Sequence, residues 1–148
     1  MFDVILLAVE GSKQSPFVVD LARQLANGHP STVYVTCCID ESYALEENGD
    51  VPGEIVEYPP AEEEQNTARA VVGNALKTLN EAGIRAKGNL IVGAAGEALV
   101  AEAEKIKASV IVIGHRQLSA FGRMMKGSVS AEVIAHAPCP VLVEVRGN

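Results

Sequence analysis

The sequence predicts an α/β fold in which an open five-stranded parallel sheet carries helices on both faces. Three observations predict it. Five short apolar runs recur along the 148 residues. Segments with apolar residues at helical spacing separate these runs, which gives the order β-α-β-α-β-α-β-α-β. The runs are apolar throughout and do not alternate with polar residues, as expected when both faces of a parallel sheet are covered.

The first half of the chain is expected to hold two strands and two helices. In order, these are a strand at 3–9, a helix that Ser12 or a neighbour caps and Gly28 ends, a strand at 32–39 and a helix at 61–82. A serine at a helix start accepts a hydrogen bond from a free backbone N–H, and a glycine after the last turn adopts the left-handed conformation that closes the helix. The acidic stretch 40–60 between them is too long and too polar for a simple turn.

The second half of the chain is expected to hold the remaining five elements. In order, these are a strand at 86–92, a helix that includes Leu99 to Ile106, a strand at 109–113, a helix from Gly127 to His136 and a strand at 141–145. Pro140 introduces the last strand, where a missing N–H is tolerated. The chain shows neither an internal repeat nor a second unit, so residues 1–148 are expected to form one domain.

Composition and charge narrow the class of protein. The chain is 48% hydrophobic and carries a net charge of −7, which argues against general binding of nucleic acid or anionic membranes. Its apolar runs are far shorter than a membrane span. Its start lacks the basic segment and cleavage site of a secretory signal. We expect a cytoplasmic protein that contacts neither membrane nor nucleic acid.

The three cysteines fit the same compartment. Cys37 and Cys38 are adjacent in an apolar strand, and Cys139 stands between two prolines. This spacing indicates neither a disulfide framework nor a metal site. The strand cysteines are expected to be small core residues, although one near the end of the strand could contact a ligand.

The most specific signal follows the fourth predicted strand. A glycine stands at each end of this segment, basic residues lie between, and hydroxyl side chains follow: Gly114, Arg116, Arg123, Lys126, Gly127, Ser128 and, after Val129, Ser130. Glycines let backbone N–H groups approach a ligand, and a helix start points free donors and partial positive charge outward. These features predict a phosphate-binding loop. It is not a P-loop, because Lys126 precedes the second glycine instead of following it.

Glu10 ends the first predicted strand and has two interpretations that the sequence leaves open. Its carboxylate could accept hydrogen bonds from ribose hydroxyls, or it could serve as an acid at a helix start. Right-handed, sequential winding leaves two common sheet orders for five strands, and in both of them ligands bind at the carboxyl ends of the strands where the winding reverses. The loops that start at Glu10 and at Gly114 are therefore expected to share one crevice. The sequence places no nucleophile–base partner for His115 or His136, so neither is expected to be catalytic.

Three segments resemble the universal stress protein family, single-domain type. They are ILLAVEGSKQS near the start, the Gly93–Gly96 loop, and GHRQLSAFGRMMKGSVSAEVIAHAPCPVLVEV near the end. The resemblance implies a sheet of order 3-2-1-4-5, an ATP or AMP site in one branch of the family, and homodimers that pair through the fifth strands. It also implies Mg²⁺ bound through the phosphates.

The nucleotide-binding branch has the pattern G-x2-G-x9-G-[S/T], which this chain keeps except at the middle glycine. Gly114 and Gly127-Ser128 match the outer positions, and Gln117 replaces the middle glycine. The acid after the first strand is Glu10 where the family usually has Asp. The predicted nucleotide contacts are Ala8, Val9, Glu10, Ser12, Cys38, Gly114, His115, Arg116, Gln117, Lys126, Gly127, Ser128, Val129 and Ser130.

Three functions remain open from the sequence. The first is a cytoplasmic stress-response protein that binds ATP or AMP as a sensor or regulator, with slow ATP hydrolysis at most. The second is a dimeric interaction module of the same fold, whose site Gln117 closes. The third is an enzyme of another doubly wound family, against which the lack of a nucleophile–base constellation counts.

Overall fold

The computed structural model describes residues 2–40, 59–115 and 129–147 and contains the predicted elements in the predicted order. The strands are β1 (Val4–Ala8), β2 (Thr32–Asp40), β3 (Arg85–Gly93), β4 (Val110–Gly114) and β5 (Val141–Glu144), and the helices are α1 (Ser15–Ala26), α2 (Pro59–Glu81), α3 (Ala95–Ile106) and α4 (Val129–His136). Each bound lies within a few residues of its prediction. The expected first turn of the last helix, at residues 127 and 128, lies outside the described residues.

The strands form one sheet of order β3-β2-β1-β4-β5, and every pairing is parallel. This confirms the predicted fold class and strand order. β1 is the central strand, where Ile5, Leu6 and Leu7 are completely buried. Since helices cover both of its faces, every residue of this strand can be apolar, and the run in the sequence is continuous.

Strand side chains alternate between two cores, one on each face of the sheet. Ile5 and Leu7 point into the first core, which α1 and α2 cover. Leu6 and Ala8 point into the second core, under α3 and α4. The period of two along a strand makes this division unavoidable. One stretch of five residues therefore stabilises both layers of helices.

Local signals end the helices where the sequence predicted. Gly28 and Gly83 both have φ of +80°, a left-handed conformation that few other residues adopt readily. Lys107, after α3, also has a positive φ of 58°. At the same, amino end of the sheet, the Ser109 hydroxyl donates to the carbonyl of Val4 at 2.8 Å and ties the start of β4 to β1.

Candidate functional site

The topology places a winding reversal, where a ligand crevice is expected, at the carboxyl ends of β1 and β4. These strands are neighbours, with Ile5 opposite Val110, but the chain runs from β1 to β2 on one side and from β4 to β5 on the other. The helices that follow these two strands, α1 and α4, consequently pack on opposite faces of the sheet. Both predicted site loops start there.

The loop after β1 forms a hydrogen-bonded turn from Glu10 to Ser12. The Ser12 backbone N–H donates to Oε1 of Glu10 at 3.1 Å, and the Ser12 hydroxyl donates to Oε2 at 2.5 Å. Both side chains are partly exposed. Glu10 therefore orders the approach to α1 without being a cap residue of that helix, whose N-cap is Gln14. A carboxylate has capacity for more hydrogen bonds than these two.

β4 leads to the second loop through Gly114, which packs against the amide of Gln14. A Cβ built on Gly114 would lie 2.6 Å from Oε1 of Gln14 and 3.1 Å from a methyl group of Val18. No side chain fits there without displacing both neighbours. The structure thus assigns Gly114 a packing requirement that the phosphate interpretation did not contain.

Gln14 is the site-forming residue that the sequence analysis missed. It is completely buried, and its Nε2 donates to the carbonyls of Glu144 at 2.7 Å and Arg146 at 2.9 Å. The Glu144 carbonyl also accepts the backbone N–H of His115 at 3.0 Å. A glutamine just before a helix carries no local signal of this role, because its partners lie at the other end of the chain.

Three predicted contacts, Ala8, Val9 and Cys38, lie at or near the carboxyl ends of β1 and β2. Ala8 and Val9 are 3% and 2% exposed, so their side chains belong to the cores and only main-chain atoms could contact a ligand. Cys38 is partly buried at the end of β2, and its Sγ lies 3.5 Å from the carbonyl oxygen of Gly93. Cys37, on the opposite face, is a core residue as predicted.

Of the remaining predicted contacts, three lie within the described residues and the others lie outside them. Val129 packs against the second core at the start of α4, and Ser130 is 4% exposed. His115 is exposed just after β4. The middle of the predicted phosphate loop lies outside the described residues: Arg116, Gln117, Lys126, Gly127 and Ser128.

An ion cluster joins the end of β5 to α1. The Arg146 guanidinium contacts Glu144 at 2.7 Å and Asp20 at 3.4 Å, and it lies 5.4 Å from the ring centre of Phe17. Hydrogen bonds from Arg146 hold the pKa of Glu144 below its ordinary value. Asp20 also has a lowered pKa, chiefly because of Arg23 and then Gln24. The cluster fastens the end of the chain to α1.

Other features lie apart from the crevice. A cavity of about 310 Å³ opens at the opposite, amino end of the sheet, between the ends of α1 and α2. It is lined by helix-terminal residues such as Gly28 and Gly83. Within ranges 2–40, 59–115 and 129–147, His, Cys, Asp and Glu side chains form no group of three able to hold a metal ion. No helix in those ranges has the length and apolarity needed to cross a bilayer.

A five-stranded parallel sheet of this order, with helices on both faces, defines a doubly wound α/β protein. The sequence matches the universal stress protein family over residues 1–146. The chain belongs to that family.

Individual relatives agree with this assignment. A universal stress protein from the QAH/OAS sulfhydrylase 3′ region of Thermus aquaticus is 32% identical over 143 residues, which span 97% of this chain and 98% of that protein. A universal stress protein solved in complex with cAMP has a TM-score of 0.69 at 22% identity, over 97% of each chain. A universal stress protein from Archaeoglobus fulgidus, solved with dAMP, has a TM-score of 0.68 at 22% identity, again over 97% of each chain.

Proposed function

We propose that this protein binds an adenine nucleotide, ATP or AMP, in the crevice between the Glu10–Ser12 turn and the loop that starts at Gly114. The observation that carries the proposal is the placement of these two loops at the winding reversal, with Gln14 joining them. Two structural neighbours were solved with the adenine nucleotides cAMP and dAMP, which supports this ligand class. Binding would make the protein a sensor or regulator in a stress response, with slow ATP hydrolysis at most.

The described residues suggest how the nucleoside would be held. Glu10 retains acceptor capacity beside its bonds to Ser12, so it can accept a hydrogen bond from a ribose hydroxyl. Main-chain atoms of Ala8 and Val9 and the partly exposed Cys38 offer a surface for the base.

The phosphates are assigned to the second loop. Backbone N–H groups near Gly127, the Ser128 hydroxyl and the charge of Lys126 would bind them, and Mg²⁺ would be held through the phosphate oxygens. Gln117 stands where the family pattern has glycine, and its amide could crowd the phosphates or donate to them. A nucleotide held by both loops would change the surface that a regulatory partner meets.

The second candidate function is a dimeric interaction module, and the exposed residues of β5 favour it. Leu142 is 37% exposed and Val145, just after the strand, is 59% exposed at the edge of the sheet. Unpaired apolar edges invite association unless they are covered. We propose that two copies pair through β5, whether or not the crevice is occupied. We also propose that residues 1–148 form a single domain and that the protein is cytoplasmic.

Thermal-shift titration and calorimetry with ATP, ADP, AMP and cAMP, with and without Mg²⁺, test the proposal. A ligand at 100 times its dissociation constant should stabilise the folded protein by about 2.7 kcal/mol, because it binds only the native state. Glu10→Gln should weaken binding about tenfold by removing a charged acceptor. Absence of binding at millimolar nucleotide would reject the nucleotide function and leave the interaction module.

A further inference from the structure

Gln14 is a fully buried polar side chain whose hydrogen bonds span the chain. Its acceptors, the carbonyls of Glu144 and Arg146, lie 130 and 132 residues away in sequence. A buried amide must be hydrogen-bonded or it destabilises the fold. Here the amide nitrogen donates to two carbonyls in the segment that ends β5. The side chain is therefore a long-range tie and not a helix cap.

The main chain of Gln14 belongs to the first site loop. Its backbone N–H donates to the Ser12 hydroxyl at 3.1 Å, and that hydroxyl donates in turn to Glu10. Any shift of Gln14 would pull on the carboxylate that is proposed to hold the ribose. One residue thus links the turn after β1 to the end of β5.

The side chain of Gln14 also locates the exit of β4. Its Oε1 fills the space that a Cβ on Gly114 would need. The Glu144 carbonyl that accepts from Gln14 accepts from His115 as well, at 3.0 Å. The first two residues of the second site loop are consequently set by the same amide.

We propose that Gln14 is a positioning residue for the ligand crevice. It holds the Glu10–Ser12 turn and the Gly114–His115 strand exit at a fixed separation, so that one ligand can contact both loops. Gln14 acts through these neighbours and needs no contact with the ligand. Preorganisation of this kind raises affinity, because the ordering is complete before binding. This inference rests on the proposed nucleotide function.

The test compares Gln14→Met with Gln24→Met. Methionine keeps the length of glutamine and removes the amide. Gln24 lies inside α1, the helix whose N-cap is Gln14, but it is exposed, and its Nε2 donates to Asp20 one turn earlier. Two quantities are measured in folded protein: ATP affinity by calorimetry, and hydrogen exchange of the His115 amide without ligand. Melting temperature reports the loss of general stability.

We expect Gln14→Met to accelerate His115 exchange and to weaken ATP binding, each about tenfold or more, while Gln24→Met changes neither. Unchanged His115 exchange in folded Gln14→Met would overturn the inference, whatever happens to nucleotide. Faster exchange with an ATP affinity equal to that of Gln24→Met would also overturn it. Faster exchange in a protein whose wild type binds no nucleotide would reject the proposed function and leave the positioning role intact.

Gln14→Asn provides the same readouts if Gln14→Met does not fold. Asparagine keeps a polar amide but is one methylene shorter. It therefore cannot both reach the two carbonyls and fill the space beside Gly114. The same pair of changes, in exchange and in affinity, is expected with smaller amplitude. Wild-type behaviour of Gln14→Asn in both measurements would contradict a positioning role that depends on reach.

Discussion

At the scale of single residues, Gln14 and Gly114 depend on each other. The amide oxygen of Gln14 occupies the volume beside Gly114, and its Nε2 hydrogen-bonds two distant carbonyls. Neither residue can change size alone. A close contact between a buried amide and a glycine is a packing constraint that a larger residue breaks from either side.

Gly114→Ala should destabilise the protein by about 1–3 kcal/mol, because its methyl group would meet Oε1 of Gln14 at 2.6 Å. Gly73→Ala is the matched control. Gly73 lies inside α2, and a methyl group added to its Cα would have nothing within 4 Å, so alanine should stabilise the helix by about 0.5–1 kcal/mol. Urea unfolding of both variants measures the difference. Equal effects of the same sign would show that Gly114 is not packed as described.

At the scale of elements, β5 forms backbone hydrogen bonds with β4 along one edge and is the edge strand of the sheet on its other side. The carbonyls of Pro140 and Glu144 accept N–H groups from Ile111 and His115 of the β4 side. Backbone groups alternate in direction along a strand. The backbone N–H and carbonyl of Leu142 therefore also face β4, whereas the backbone N–H of Val143 points to the open edge. This alternation separates the residues that hold the sheet together from those available to a second copy.

Val143→Pro should yield a folded monomer, because it removes an N–H from the open edge and leaves the pairing with β4 intact. Leu142→Pro is the control, since it removes a donor that serves β4 and should unfold the last strand. Sedimentation at micromolar concentration together with circular dichroism distinguishes them. A wild-type monomer, or a Val143→Pro dimer as tight as wild type, would contradict pairing through β5.

The Glu144–Arg146 pair makes stability depend on pH. The pKa of Glu144 is lower in the folded protein than its ordinary value of 4.5, so the unfolded chain binds a proton first as the pH falls. Its contribution to stability is therefore present above 4.5 and is lost as the pH falls through the lower, folded-state pKa. Arg146→Gln should lower the free energy of unfolding at neutral pH. It should also make that free energy fall less steeply as the pH is lowered. Denaturation curves from neutral pH down to about pH 3 for both proteins measure it, and parallel curves would refute the assignment.

At the scale of the whole molecule, the two cores share their strands. Leu79 of α2 is completely buried in the first core, and Leu99 of α3 is 1% exposed in the second. Strands β1 and β4 contribute alternate residues to both. Loss of either helix layer would expose the other face of the same strands. The molecule is consequently expected to unfold as one cooperative unit.

Leu79→Ala and Leu99→Ala should each lower the free energy of unfolding by about 2–5 kcal/mol in a single transition. Val92→Ala serves as the control, because Val92 is 62% exposed and should change stability by less than about 0.5 kcal/mol. Circular dichroism and hydrogen exchange of β1 amides should report coincident midpoints. Separate transitions for the two layers would show that the cores unfold independently.

Much of this architecture could be read from local sequence patterns. The continuous apolar run of β1 predicted a strand buried on both faces, and Gly28 and Gly83 predicted helix ends, because these signals depend on neighbouring residues only. The same patterns predicted a ligand crevice at the carboxyl ends of the strands, beside the loops that start at Glu10 and Gly114. The strand order itself came from the resemblance to a family, since winding rules left two common arrangements open.

Local patterns by themselves determined that the chain forms strands and helices in alternation, that it winds into a parallel sheet, and that the loops starting at Glu10 and Gly114 follow the carboxyl ends of their strands. The tertiary structure alone established that Gln14 joins those loops. The physical reason is that a hydrogen bond depends on spatial proximity, and the partners of Gln14 approach it only after β5 has docked beside β4. For the same reason, Gly114 shows its packing requirement only when α1 lies against the end of its strand.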